Sequence, residues 1–134
     1  MTLAEQIELA CLMEATARKH DIRFPIAKDS TFQAAKDWRV PFWPTIAVVD
    51  RKGIVRAIGI APEHVEDVVK SLLRDEGVDV DKPAPGAIPT AWLEGMQPDR
   101  VRLAALQGAP APEFKGAGEW INSQPIDLAS TKGK

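Results

Sequence analysis

Five consecutive uncharged and mostly β-branched residues, Thr45-Ile46-Ala47-Val48-Val49, restrict this chain more than any other stretch. Branched side chains fit a pleated strand, and an apolar run without alternation means that both faces of the strand are covered. This strand is therefore expected at the centre of a sheet. Asp50-Arg51-Lys52-Gly53 supplies a tight turn after it. Ile54 to Ile60 then returns, with Val55, Ala57 and Gly59 alternating against Ile54, Arg56 and Ile58. The two strands make a hairpin.

The flanking segments read as helices and one weaker strand. Leu3 to His20 lacks Gly and Pro and is rich in Ala, Leu, Glu and Met, so helix propensity is high throughout. Its apolar residues, Leu3, Ile7, Ala10 and Cys11 on one side and Leu9, Leu12 and Met13 on the other, predict burial on more than one face. Ile22 to Ala27 alternates weakly around Pro25 and suits an edge strand. Asp29 and Ser30 offer caps for a short helix over Thr31 to Trp38 that exposes Gln33, Lys36 and Asp37. Pro62 and Glu63 open a last helix whose Val65, Val68, Val69, Leu72 and Leu73 form one apolar stripe, ending near Gly77. The order helix, strand, helix, strand, strand, helix predicts an α/β fold with one mixed sheet.

With 134 residues the chain has room for one small domain and an appendage. Seven of the 11 prolines follow Asp75, which divides the sequence into a packed unit over 1–75, a Pro-rich linker over 76–107 and an extension over 108–134. Lys and Arg number 17 against 19 Asp and Glu, so there is no basic field to hold nucleic acid. No apolar run approaches the roughly 20 residues that span a bilayer, and Met1-Thr2-Leu3-Ala4-Glu5 has no basic region ahead of an apolar one. No membrane partner and a cytoplasmic location are the expectations.

The one cysteine, Cys11, excludes an internal disulfide and any C-x-x-C pair. Flanked by Leu9, Ala10, Leu12 and Met13, it reads as a buried small hydrophobe rather than a reactive thiol. His20 near a helix end and His64 among acids read as solvated, and with Cys11 they are too scattered for a zinc site, so no metal is expected. Asp50 reads as a turn cap rather than a base. Gly116-Ala117-Gly118 lacks the third glycine of a dinucleotide loop and reads as a flexible linker, leaving no cofactor site. Trp38, Phe42 and Trp43 could form an exposed patch for an extended peptide, or place one of their rings in the core.

Val40-Pro41-Phe42-Trp43-Pro44-Thr45-Ile46-Ala47-Val48-Val49-Asp50-Arg51-Lys52-Gly53-Ile54-Val55-Arg56, with Phe24-Pro25-Ile26-Ala27-Lys28-Asp29 upstream, resembles the second half of a thioredoxin-fold redoxin of the AhpC/TSA or TlpA-like branch. The resemblance runs to about Arg74. It implies a thioredoxin-like three-layer sandwich with a mixed sheet and a parent activity of thiol-disulfide oxidoreduction. It also implies a substrate-binding loop in which Pro44 is the cis-proline, Trp43 the residue that pairs with a substrate peptide and Thr45 the start of the central strand. An extended peptide or a thiol protein is the partner it implies. On local physics alone a trans-proline that merely begins a strand stays open.

The departures are equally specific. No hairpin, first central strand or redox C-x-x-C precedes Leu3, so the expected sandwich is incomplete, and its inner edges lie a strand-width apart. Those edges pair directly, accept another segment, or join two copies in a dimer. Gly108 to Phe114, Glu119-Trp120-Ile121-Asn122-Ser123-Gln124-Pro125-Ile126-Asp127-Leu128 and Lys132-Gly133-Lys134 resemble the leading hairpin of a TlpA-like domain, up to where its catalytic strand would begin. A piece of a longer redox protein, a degenerate one, and a permuted domain whose tail docks on the same sheet all fit. With no C-x-x-C, the sequence is expected to be inactive alone, and a non-catalytic peptide-binding module is the alternative.

Overall fold

A computed structural model describes residues 2–74 and 88–133. The expected helix end near Gly77 and the first part of the expected linker lie outside the described residues.

The first helix, α1 (Leu3–Lys19), starts at a reciprocal cap. The Glu5 amide donates to Thr2 Oγ1 at 3.2 Å, and the Thr2 amide donates to Glu5 Oε2 at 2.6 Å. β1 (Ile26–Asp29) begins one residue after Pro25, because a proline brings no N–H to a ladder. The expected strand start at Ile22 is thus corrected: the carbonyls of Ile22 and Phe24 accept from Asn122 Nδ2 instead, at 2.8 and 3.1 Å. The Asp29 carboxylate accepts from the amides of Ala34 and Ala35 at 3.1 and 2.8 Å, satisfying the open N–H groups of α2 (Gln33–Asp37).

β2 (Ala47–Val49) and β3 (Val55–Ile58) form the hairpin expected from the sequence. The turn between them is held by Asp50, whose Oδ1 accepts from the amides of Lys52 and Ile54 at 2.9 and 3.0 Å. Asp50 is a turn cap, as its position suggests. The alternation expected along β3 does not persist. Val48 pairs with Ala57 and Val49 with Val55, so Arg56 is an extra residue in the ladder. That bulge sends Val55 and Ala57 into different clusters: Val55 joins Ile58, Leu103 and Leu106, whereas Ala57 joins Ile60 and Val68. Bulged Arg56 turns its guanidinium back to Asp50 at 3.4 Å, with 11% of its side chain exposed.

Both faces of the hairpin are covered. α3 (Val65–Arg74), entered through a 3-10 turn at Pro62–His64, seats Val65, Val68 and Leu72 against Ala57 and Ile60. The opposite cluster receives Leu103 from α4 (Gln97–Ala104) together with Trp38 and Phe42. Residues 88–107 therefore depart from the open linker expected of them. Pro98 suits the first turn of α4, Asp99 Oδ2 accepts from the Met96 amide at 3.2 Å, and Leu103 and Leu106 are buried.

β4 (Ala117–Ile121) pairs antiparallel with β1, placing Ile26 opposite Ile121 and Ala27 opposite Trp120. The molecule is an α/β assembly of helices with two small antiparallel sheets, β1-β4 and β2-β3. The single mixed sheet expected from the element order is corrected in this respect, because β1 takes its partner from the tail rather than from a parallel neighbour, and β2, expected at the centre of a sheet, has covered faces but only β3 beside it among the described residues. Gly118, expected in a flexible linker, lies in β4, where an added Cβ would meet Ser30 Oγ at 2.6 Å. The Ser30 hydroxyl fills the space that a side chain at this position would take. Among the described residues, no helix is long and apolar enough to cross a membrane.

Candidate functional site

The loop that joins α2 to β2 is built from one anchored and one free aromatic ring. Phe42 packs against the cluster around Leu103. A Cβ on Gly95 would come within 2.6 Å of Phe42 Cε1, so the ring rests directly on the Gly95 backbone. The Gly95 φ of +85° is itself a conformation that favours glycine. Trp43, the next residue, is 75% exposed. The Trp43–Pro44 peptide is cis, the isomer that the resemblance implies for Pro44. Thr45 Oγ1 donates to the Phe42 carbonyl at 2.5 Å, closing the loop on itself. The structure thus places Trp43, Pro44 and Thr45 together at the entrance to β2, with an indole in solvent and the hydroxyl spent internally.

A row of rings ties this loop's side of the molecule to the tail. Trp38 stacks on Phe114 with centroids 6.0 Å apart, and Phe114 meets Trp120 edge-on at 6.3 Å. Of the three aromatics singled out in the sequence, Trp38 and Phe42 are half-buried and only Trp43 is exposed.

Cys11 is exposed, which corrects its expected burial. The apolar residues of α1 spread around the helix rather than forming a single stripe, so one neighbour cannot cover them all. Leu12 beside it is 61% exposed, whereas Ala17, nearer the helix C-terminus, is buried. Between α1 and β4 runs an open cleft of about 620 Å³ lined by Cys11, Glu14, Ala17, Arg18, Trp120 and Asn122 among others. Its charges are mostly paired, Arg18 with Glu14 at 2.5 Å and Arg23 with Asp21 at 3.0 Å. None of Trp43, Pro44 and Thr45 lines it, so the thiol and the loop are separate features. A second, apolar cleft of about 390 Å³ lies among Pro25, Ala27, Ala34, Phe114, Ala117 and Trp120.

His20 is exposed, and His64 stacks on Trp92 at 5.5 Å with Nδ1 3.5 Å from Asp67 Oδ2. The expected solvation of His64 is thereby corrected: its ring covers an indole brought in by the segment after residue 88. Among the described residues, no three His, Cys, Asp or Glu side chains gather as a metal site would require.

Sequence reasoning missed the support beneath the loop. Gly95 and Leu103 lie within the Pro-rich stretch, and only the spacing of Leu103 and Leu106 signalled a buried helix end there. Comparison with protein-family models, curated proteins and solved structures found no match.

Proposed function

We propose that this chain is a thioredoxin-like, redoxin-type unit that acts as a binding module, capturing an extended peptide or a segment of a thiol protein at the Trp43-Pro44-Thr45 loop. The observation that carries the reading is the division of labour in that loop. Phe42 is fixed on the Gly95 backbone while Trp43 presents a largely exposed indole beside the first residues of β2. An exposed aromatic ring next to an extended backbone suits recognition of another extended chain, with main-chain hydrogen bonds for affinity and the ring for selectivity. Thiol-disulfide oxidoreduction remains the activity of the family the sequence resembles. With Cys11 as the one cysteine in the sequence, the internal two-thiol cycle of that chemistry has no second sulfur.

The test titrates the protein with S-carboxymethylated insulin B chain, an extended thiol-free probe, and follows tryptophan emission. Saturable binding that weakens about tenfold or more in Trp43→Ala supports the reading, since truncating an aromatic anchor costs on the order of 1–2 kcal/mol. Equal affinity in both proteins overturns it. Insulin reduction measured in parallel is expected at the uncatalysed rate. Turnover abolished by Cys11→Ser would instead establish the chain as an oxidoreductase.

A further inference from the structure

The hairpin's hydrogen bonds fix which way β2 turns its backbone. The Ile46 carbonyl accepts from the Gly59 amide at 2.9 Å, and the Asp50 amide donates to the Ile54 carbonyl at 3.0 Å. With Val48 opposite Ala57, the even-numbered positions face β3. The bulge lies in β3, so β2 keeps its alternation, and Thr45, Ala47 and Val49 direct their N–H and C=O groups to the other edge.

That edge is treated differently from the far edge of β3. Val55 donates to the Ala109 carbonyl at 2.9 Å and accepts from the Gly108 amide at 2.7 Å. Ala111 donates to Gly53, Ala61 to Trp92, and Glu94 to Gly59, each at 2.8 Å. Residues 92–94 and 108–111 thus close the outer side of β3. Among the described residues, no strand pairs with the outer side of β2. Its faces are occupied, Ala47 and Val49 by the Leu103 cluster and Val48 by the Val68 cluster, which leaves the edge as the place to add a strand. Residues 45–49 contain no charge and no proline, two of the devices that normally protect an edge.

We propose that β2 pairs with β2 of a second copy, antiparallel about a two-fold axis at Ala47, joining two hairpins into one four-stranded sheet. In this register Ala47 faces Ala47 of the partner subunit, and Thr45 faces Val49 of the partner subunit. All three outward-facing positions are then used, for about six main-chain hydrogen bonds, whereas a register centred on Val48 uses about four. The strand suits itself as a partner better than it suits an arbitrary chain. Its uncharged centre brings no like charges together, Asp50 comes level with Pro44 of the partner subunit, and Arg51 comes level with Trp43 of the partner subunit. Both residues of the last pair lie beyond the ends of β2, Arg51 in the turn, where its carbonyl accepts from the Gly133 amide at 2.7 Å, and Trp43 ahead of the cis bond. The exposed guanidinium and the exposed indole come within reach of each other across the axis, twice by symmetry. The dimer engages Trp43 and Thr45, which the peptide-binding proposal also uses, so a captured peptide and a second copy compete for this edge. Ala47→Pro and Arg51→Ala, outside that loop, test the dimer separately.

One strand pair is a small interface, so a dissociation constant of roughly 0.1 mM is expected. Sedimentation equilibrium of the wild type at about 0.02 and 0.5 mM should show a mass rising from 14.6 kDa towards twice that value. Ala47→Pro removes an outward amide that β3 does not use, and a proline is tolerated at such an edge position. It should stay monomeric at both concentrations with an unchanged circular dichroism spectrum. Should Ala47→Pro fail to fold, Arg51→Ala, an exposed turn variant, decides through an expected threefold or greater weakening. A wild type of 14.6 kDa at both concentrations, a dimer that folded Ala47→Pro keeps, or a dimer that Arg51→Ala leaves at full strength overturns the proposal.

Discussion

Replacing Gly95 by alanine tests whether the candidate loop is held from below, and Gly108 supplies the matched control. The two residues have nearly equal backbone angles, φ +85° at Gly95 and +83° at Gly108. An added Cβ at Gly108 meets nothing within 4 Å, whereas at Gly95 it meets Phe42 Cε1 at 2.6 Å and Asp99 Cβ at 3.1 Å. The backbone cost of alanine in this region is about 1–2 kcal/mol, partly offset by a gain of about 0.4–1 kcal/mol from a stiffer unfolded chain. Gly108→Ala should therefore lose about 1 kcal/mol. Gly95→Ala carries the same cost and must also displace an aromatic ring from a packed cluster, an overpacking penalty of about 1–3 kcal/mol, for a total of about 2–4 kcal/mol. Urea unfolding followed by tryptophan fluorescence reads both values from the midpoints at constant slope. In thermal unfolding the extra loss in Gly95→Ala corresponds to about 4 °C per kcal/mol. Gly95→Ala should also weaken peptide binding more than Gly108→Ala, because the displaced ring precedes Trp43. Equal destabilisation of the two variants, within about 0.5 kcal/mol, would refute the claim that Phe42 rests on Gly95.

Three further outcomes follow from named contacts. Exposed Cys11 should titrate with a chromogenic disulfide reagent in the native protein at the rate of a free thiol, one equivalent per chain; reaction only after denaturation would contradict its placement. The Glu5 carboxyl is held below its usual range by the Thr2 amide and then by the Thr2 hydroxyl. A depressed folded-state value means the cap's contribution is fully present above the unfolded carboxylate value and is lost as pH falls through the folded one. Protection of the first-turn amides of α1, taken relative to their intrinsic exchange rate at each pH, should accordingly fall below about pH 4.5, and Glu5→Gln should abolish that pH dependence; the same dependence in the variant would exclude Glu5 as its source. Asn122→Ala removes the donor to the Ile22 and Phe24 carbonyls and should cost about 1–2 kcal/mol in urea unfolding, and a neutral result would mean that water replaces both bonds.

Local chemistry determined the helical span of α1, the hairpin of β2 and β3, the Asp50 turn and the part of the α3 stripe that packs, Val65, Val68 and Leu72, whereas Val69 and Leu73 of the expected stripe are exposed. In each, the side-chain period, a cap or a turn residue acts within a few positions of the backbone bonds it organises. The Trp43-Pro44-Thr45 loop was a candidate only through the family resemblance, since local physics left Pro44 open to a trans-proline that merely begins a strand. Tertiary structure decided the rest. β1 pairs with β4 across about 90 residues of sequence, a choice made by which edges meet and by a glycine at 118 small enough to admit Ser30, not by any pattern within either strand. The bulge at Arg56 changes which face Val55 shares, since one extra residue reverses an alternation of period two. Cys11 is exposed because burial of a helix depends on what lies against it, and the composition of α1 cannot state that. Gly95 became the floor of the loop only when the chain folded back under Phe42, a non-local contact that its own neighbours in sequence do not encode.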